Sequence, residues 1–526
     1  MIILKTIIKY LKLITFNVNE LKFIIFTYLN ANNYNSIKKN ENVLFAGMET
    51  DYYSLCLSSL FKLDKNLPKG KITLYLPLLC FTKTDPQKKK FLHFSIFIVK
   101  NFFIYLRNFK TQLLYKKLTS DSLSLNNFNI INEYKYINLS RRIVSKIKNK
   151  KDVKRITLNG INIGREIYDT FIRFSGKTTL DLNDYFLVEI MAKILYMQKK
   201  LPQLIKEKKI KFYYSRQTAY IHHGYVANLL IKKKVKVFLT GSRNEYAYRY
   251  NGRHYHYPYN FRIYKKIFKS LKNKKEKLTE AKNILDYRFK GIKPKQDFWI
   301  DNFQNHNPYK DDKKNNYKFN SKCVIFLHCF VDSPLMGGDI IFDDYSDWIT
   351  KTLNFLEKKD LSKYTIIKPH PDAKPDSIKF ENYLMNKFPK FKWLDRNNSN
   401  KEIFKNKLNI GITVRGNVIP ELAFHGILPI AAGENISQSF SFVLTAKNKK
   451  EYFNLISKNI HINHKNKMYS KKNEIYQLTY MSLIYNLENI DTLAKKIALK
   501  NINFNNSESL NKFRYLYLKT LKNFTL

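Results

Sequence analysis

The chain has 526 residues and a mass of 62.8 kDa, which at about 100–200 residues per domain suggests two to four domains. A hydrophobic share of 44% and an aromatic share of 15% exclude a disordered chain, and 15 Gly with 14 Pro are too few for a collagen-like or linker-dominated one. The net charge of +52 favours anionic partners, but the lysines lie in scattered short runs such as Lys232–Lys234, without zinc-finger spacing or a basic zipper, so no specific nucleic-acid partner is expected.

Residues 1–40 form a basic, apolar segment with helical character. Lys5, Lys9 and Lys12 interrupt its apolar runs, which leaves no secretory core and no cleavage site. Four cysteines without a CxxC exclude a disulfide framework and fit a reducing compartment. A first α/β domain is expected over 41–305. Val43 to Ala46 reads as a buried strand followed by a loop at Gly47, and KITLYLPLLCF as a second strand. Phe91 to Leu106 is strongly apolar but broken by Lys100 and short of the roughly 20 residues of a membrane span. With Lys88–Lys90 and Arg107–Lys110 at its ends, it reads either as a buried helix with a basic border or as an interfacial helix on anionic lipid. A helical pattern through Phe186, Ile190, Ile194 and Met197 follows, then the strand KFYYSR, then a helix and strand in HHGYVANLLIKKKVKVFLTG.

Residues 306–322 are polar and patternless and read as a linker. A second α/β domain is expected over 323–470 and further helices over 471–526. Short apolar strands alternating with amphipathic helices predict parallel sheets. The fold class is therefore α/β, with two Rossmann-like doubly wound domains facing a cleft and a C-terminal helical segment. Ligands of such sheets bind beyond the carboxyl ends of the strands.

Two constellations sit at such ends. In YTIIKPHPDAKP the prolines stiffen the backbone, so Lys368 and His370 either face a phosphate or belong to a rigid exposed loop. In ITVRGNVIPELAFHGILPIAAG, Gly416 precedes a helix whose first N–H groups suit an anion. Glu421 reads either as a ribose contact or as a partner of the helix dipole. Arg415 is a cation suited to bidentate phosphate contact.

With Phe326-Leu327-His328, Asp332, the segment Phe342 to Trp348, Lys368-Pro369-His370-Pro371, and Gly416 through Glu421 to Gly426, the second half resembles bacterial capsule and surface-polysaccharide glycosyltransferases of GT-B architecture. The segment Asn159–Phe174 is similar to one in the N-terminal half of surface-polysaccharide synthesis proteins. The resemblance covers roughly 320–455 and, more loosely, 159–240. It implies a nucleotide-sugar donor bound by the C-terminal domain, with His370 on the donor phosphate and the Glu421 helix around phosphate and ribose. Asn417 stands where many relatives carry Ser or Thr after the glycine. The resemblance also implies no metal and no resident cofactor.

An inverting transfer needs a base. The candidates are Asp51 after the first strand, Asp169 in GREIYD, and His223 beside His222 at a strand-to-helix turn; Asp51 could equally cap its helix and Asp169 pair with Arg165 or Arg173. The aromatic, basic stretch Arg253–Tyr259 suits a sugar or lipid phosphate. The sequence thus points to transfer of a sugar from a CMP-, UDP- or GDP-linked donor to a glycan or lipid-linked glycan acceptor, in the cytoplasm and against an anionic membrane surface. Transfer of a polyol phosphate from a CDP-linked donor, or a non-catalytic polyanion-binding scaffold, are the alternatives.

Overall fold

The apolar runs that read as strands form two separate parallel sheets. The structure is a computed structural model that describes residues 42–46, 72–292 with short gaps (78, 117–118, 126–129, 216, 240–247, 251 and 253–260), 308–309, 320–485, and isolated positions before 42. Contacts divide the chain into two compact units, one of residues 1–171, 181–255 and 490–526, the other of residues 172–180 and 256–489.

In the first unit, β1 (Asn42–Ala46), β2 (Ile72–Leu76), β3 (Asp121–Ser124), β4 (Ile210–Ser215) and β5 (Lys236–Leu239) are parallel, and the short β6 (Tyr248–Arg249) closes one edge antiparallel. The spatial order is β3-β2-β1-β4-β5-β6, the doubly wound order with its switch point between β1 and β4. Every side chain of β2 is buried, as expected of a parallel strand covered on both faces. Its longer helices are α1 (Lys90–Tyr115), α2 (Ile130–Val144), α3 (Gly164–Ser175, whose last four residues belong to the second unit), α4 (Tyr185–Glu207) and α5 (Ile221–Lys232). Helix α2 packs on α4 through Tyr136, Ile137, Val188, Ala192 and Tyr196.

The second unit repeats this plan. Its strands are β7 (Cys323–Phe326), β8 (Thr365–Lys368), β9 (Lys392–Trp393), β10 (Ile410–Thr413), β11 (Leu428–Ala431) and β12 (Leu444–Thr445), all parallel, in the order β9-β8-β7-β10-β11-β12. Its helices include α6 (Lys274–Phe289), α7 (Tyr345–Lys358), α8 (Pro375–Lys387), α9 (Val418–Phe424), α10 (Lys449–Asn459) and α11 (Lys472–Tyr480). Trp348 of α7 is fully buried, and its indole N–H reaches the Tyr452 hydroxyl of α10 at 2.9 Å. Gly411 lets α9 lie directly on β10, since a Cβ there would sit 2.5 Å from the Leu422 methyls.

The division of the chain differs from the one expected at 306–322. Helix α6 packs in the core of the second unit through Ala281, Ile284 and Leu285, and Tyr309, inside the expected linker, is buried beside Val324 and Phe326. The Pro308 carbonyl also accepts from the Asn400 N–H at 2.7 Å and the Ser399 hydroxyl at 3.0 Å. A polar composition hid one aromatic plug. The chain passes from one unit to the other between residues 255 and 256, and also at 171/172, 180/181 and 489/490.

Candidate functional site

The switch point of the second sheet lies between β7 and β10, and the chain leaving each strand there carries a polar residue. His328 follows β7. Its Nε2 lies 3.1 Å from the Thr413 hydroxyl oxygen and accepts from the Val414 N–H at 3.3 Å and the Arg415 N–H at 3.5 Å. The proton of the neutral imidazole therefore sits on Nδ1. The ring stacks on Tyr345 with centroids 4.3 Å apart. Burial holds its pKa well below the ordinary value, and the neighbouring His370 and Arg415 add to the shift.

Arg415 leaves β10 at the same place and is 92% buried, its exposure being 8%. Its Nη2 donates to the Gly338 carbonyl at 2.9 Å. Its Nε and Nη1 are buried without a hydrogen-bond partner among the described residues. A buried guanidinium with two idle donors is costly unless a ligand satisfies them. Gly416 comes next, where a Cβ would press to 3.2 Å on both the Thr413 hydroxyl and a Val418 methyl. Asn417 is exposed and makes no side-chain cap on α9. That helix is only 7 residues long.

His370 leaves β8, the strand beside β7. The Asp372 N–H donates to its Nδ1 at 3.1 Å, which puts the imidazole proton on Nε2 as an outward donor. Burial lowers its pKa, with Asp372 and Asp332 pulling the other way. The structure thus gathers His328, His370 and Arg415 beyond three adjacent strands.

Lys368 and Glu421 are arranged otherwise than expected. Lys368 is buried, its ammonium donates to the Arg396 carbonyl, and burial brings its pKa down to about 8. It stands behind the His370 loop, since Arg396 in turn donates to the His370 carbonyl at 3.1 Å. Glu421 is buried against Arg288 of α6, which donates to one carboxylate oxygen from Nη2 at 2.5 Å and from Nε at 3.0 Å. That oxygen ties α9 to α6, and the other lies 3.4 Å from the Asn400 amide. Asp344 and Asp347 cap α7 and its approach, with the Asp347 N–H bonding to Asp344 at 2.8 Å and the Asp343 N–H to Asp347 at 3.1 Å. Those carboxylates are engaged in helix capping.

In the first unit, His222 and His223 open α5, directly beyond β4. Tyr220, at φ +68°, turns the chain into the helix. The Thr170 hydroxyl pins that start, accepting from the Ile221 N–H at 2.9 Å and donating to the Glu166 carbonyl at 2.5 Å. The two imidazole rings lie 4.5 Å apart. Burial takes His222 down to about 3 and His223 well below its ordinary value, so both stay neutral. His223 is 2% exposed and its Nδ1 has no partner among the described residues. Asp169 is fully buried in α3. Asp51 and the stretch Arg253–Tyr259 lie outside the described residues.

One residue here had not been singled out, and His328 had entered only as part of the Phe326-Leu327-His328 motif. Glu166, one turn before Asp169, is buried, and burial pushes its pKa up to about 7 while the Asn228 amide donates to it at 2.9 Å. A carboxylate among Ile163, Ile167 and Thr170 on one helical face was the available signal. His328 was the polar end of an otherwise apolar run.

No family model matches the sequence, and no curated protein matches it. Among solved structures, the chain is similar to the UDP-GlcNAc 2-epimerase of Methanocaldococcus jannaschii in complex with UDP-GlcNAc and UDP, at 10% identity over 84% of this chain and 99% of that one, with a TM-score of 0.22. It is also similar to HepE of Anabaena in complex with UDP and glucose, at 10% identity over 87% of this chain and 97% of that one, with a TM-score of 0.26. Similarity this remote assigns no activity.

Proposed function

We propose that this chain transfers a sugar from a nucleotide-activated donor, linked to CMP, UDP or GDP, to a growing capsular or other surface polysaccharide at the cytoplasmic face of a membrane. The observation that carries the reading is Arg415. Its guanidinium is buried at the switch point of the second sheet with Nε and Nη1 unsatisfied, two charged donors on different edges of one plane that an anionic ligand can satisfy.

In this reading the donor phosphate accepts from Arg415 and from the Nε2–H of His370, and Gly416 leaves room for the close approach. Asn417 adds an exposed amide beside it. The charge that develops on the departing nucleotide is met by fixed donors already in place, with no resident metal invoked. Lys368 and Glu421 support the site from behind: one anchors the His370 loop through Arg396, the other holds α9. On the acceptor side His223 is the base this reading favours, because its neutral imidazole keeps an unused nitrogen. Asp169 and Asp51 remain the alternative carboxylates.

Thermal stabilisation by CMP, CDP, UDP and GDP tests the donor site, using wild type, Arg415→Lys and His370→Ala. A nucleotide at 100 times its dissociation constant adds about 2.7 kcal/mol. One nucleotide should stabilise wild type and act weakly on both variants. No shift with any of them would sink the reading.

A further inference from the structure

Helix α1 runs for 26 residues and meets the first unit with only one side. His93, Phe97, Asn108, Thr111, Leu114 and Tyr115 are buried, His93 Nδ1 lies 2.7 Å from the Thr84 carbonyl oxygen, and Lys100 donates to the Phe81 carbonyl at 2.7 Å. The opposite side carries Phe91, Phe94, Ile98, Phe102, Tyr105 and Phe109, spaced by three and four residues and exposed by between 44% and 84%. Such spacing makes one continuous stripe, about 27 Å long at 1.5 Å per residue. An apolar stripe of that extent marks an interaction surface.

Charge identifies the occupant. No Asp or Glu lies between Asp85 and Asp121, while Lys88, Lys89 and Lys90 open the helix and Lys116 closes it. At the opening end a pocket of about 460 Å³ is lined by Lys83, Lys88, Lys89 and Arg141 against Asp85 and Asp184. Both acids are engaged, Asp85 with Arg141 at 2.5 Å and Asp184 as the cap of α4, accepting from the Phe186 N–H at 2.9 Å. A second copy would set one cationic helix end against another in molecules of charge +52. Among the described residues no helix is long and apolar enough to cross a membrane. We infer that α1 lies in the plane of an anionic bilayer surface, its aromatic stripe among the acyl chains and its lysine-lined end among the head groups. The inference does not depend on the donor reading.

The test is co-sedimentation of the full chain with vesicles of phosphatidylcholine alone and of phosphatidylcholine with about a third phosphatidylglycerol. Wild type should bind the anionic vesicles. The triple variant Phe94→Ser, Phe102→Ser, Tyr105→Ser, with its thermal stability checked, should bind at least about tenfold more weakly, and Lys88→Glu, Lys89→Glu, Lys90→Glu should also lose binding. Tyr105→Trp is the readout if the triple variant fails to fold: its emission should shift to the blue with anionic vesicles. Unchanged emission, no binding by wild type, or equal binding by the folded triple variant would overturn the inference. So would a wild-type dimer that the triple variant converts to monomer, which would make a second copy the occupant.

Discussion

Arg288 and Glu421 lie 133 residues apart in sequence and meet through two hydrogen bonds, 2.5 Å from Nη2 and 3.0 Å from Nε, with side-chain exposures of 11% and 5%. The pair ties α6 to α9, the short helix that follows the Arg415 turn. Around it stand Tyr309 and Asn400, whose amide reaches the other carboxylate oxygen at 3.4 Å. Removing one partner of a buried pair strands the other charge. Arg288→Ala should therefore cost about 3–5 kcal/mol in chemical denaturation. Arg288→Met with Glu421→Leu should recover most of that loss, because neither charge is then left buried. A loss under about 1 kcal/mol, the scale of an exposed pair, would mean that the pair is not sealed as described.

Glu166 makes stability depend on pH in a defined window. Its pKa is raised from 4.5 to about 7, chiefly by burial, so the folded state binds the proton more tightly than the unfolded chain does. The contribution is fully present below pH 4.5 and is lost as pH rises through about 7. Glu166→Gln keeps an acceptor for Asn228 and cannot ionise. Between pH 5 and pH 8, wild type should lose up to about 3 kcal/mol relative to this variant, from the linkage between pKa shift and stability. Parallel denaturation curves of the two proteins at both pH values would refute the buried carboxylate.

The start of α5 depends on a missing side chain. A Cβ on Gly224 would fall 2.5 Å from both Glu166 Cγ and the Thr218 carbonyl oxygen. Gly224→Ala should cost about 1–3 kcal/mol, as overpacking of a well-filled site does. Adding Glu166→Ala should not restore it, since the Thr218 backbone still blocks the methyl. Full rescue by that second change would show that only the flexible carboxylate stood in the way.

Much of this was legible in the sequence because short-range signals carried it. Strands such as Ile72–Leu76 and Ile410–Thr413 announce themselves as apolar runs, and polar residues at their ends pointed to His370 and Arg415. What stayed hidden was long-range. Lys368 shares strand parity with His370, yet its ammonium turns to the Arg396 carbonyl beyond β9, a neighbour no spacing names. Glu421 carries the same helical position whether it meets a ribose or Arg288. Tyr309 looked like a linker residue because its partners Val324 and Phe326 lie beyond a polar stretch.

His370 offers a sharper test of the donor site than its removal. With Nδ1 accepting from the Asp372 N–H at 3.1 Å, the ligand can be met only by Nε2–H. A glutamine amide reaches about as far as Nε2 and an asparagine amide about as far as Nδ1, so the two variants separate the roles of the nitrogens. His370→Gln should keep nucleotide binding within about tenfold of wild type, the order of a single hydrogen bond, whereas His370→Asn should lose more. Because burial lowers the pKa of His370 below its ordinary 6.5, the ring is mostly neutral at pH 7, and affinity should change little from there to pH 8. Isothermal titration of wild type and both variants across that range decides the matter. A steep rise in affinity toward acid would assign the contact to an imidazolium, and equal losses in the two variants would remove Nε2–H from the ligand.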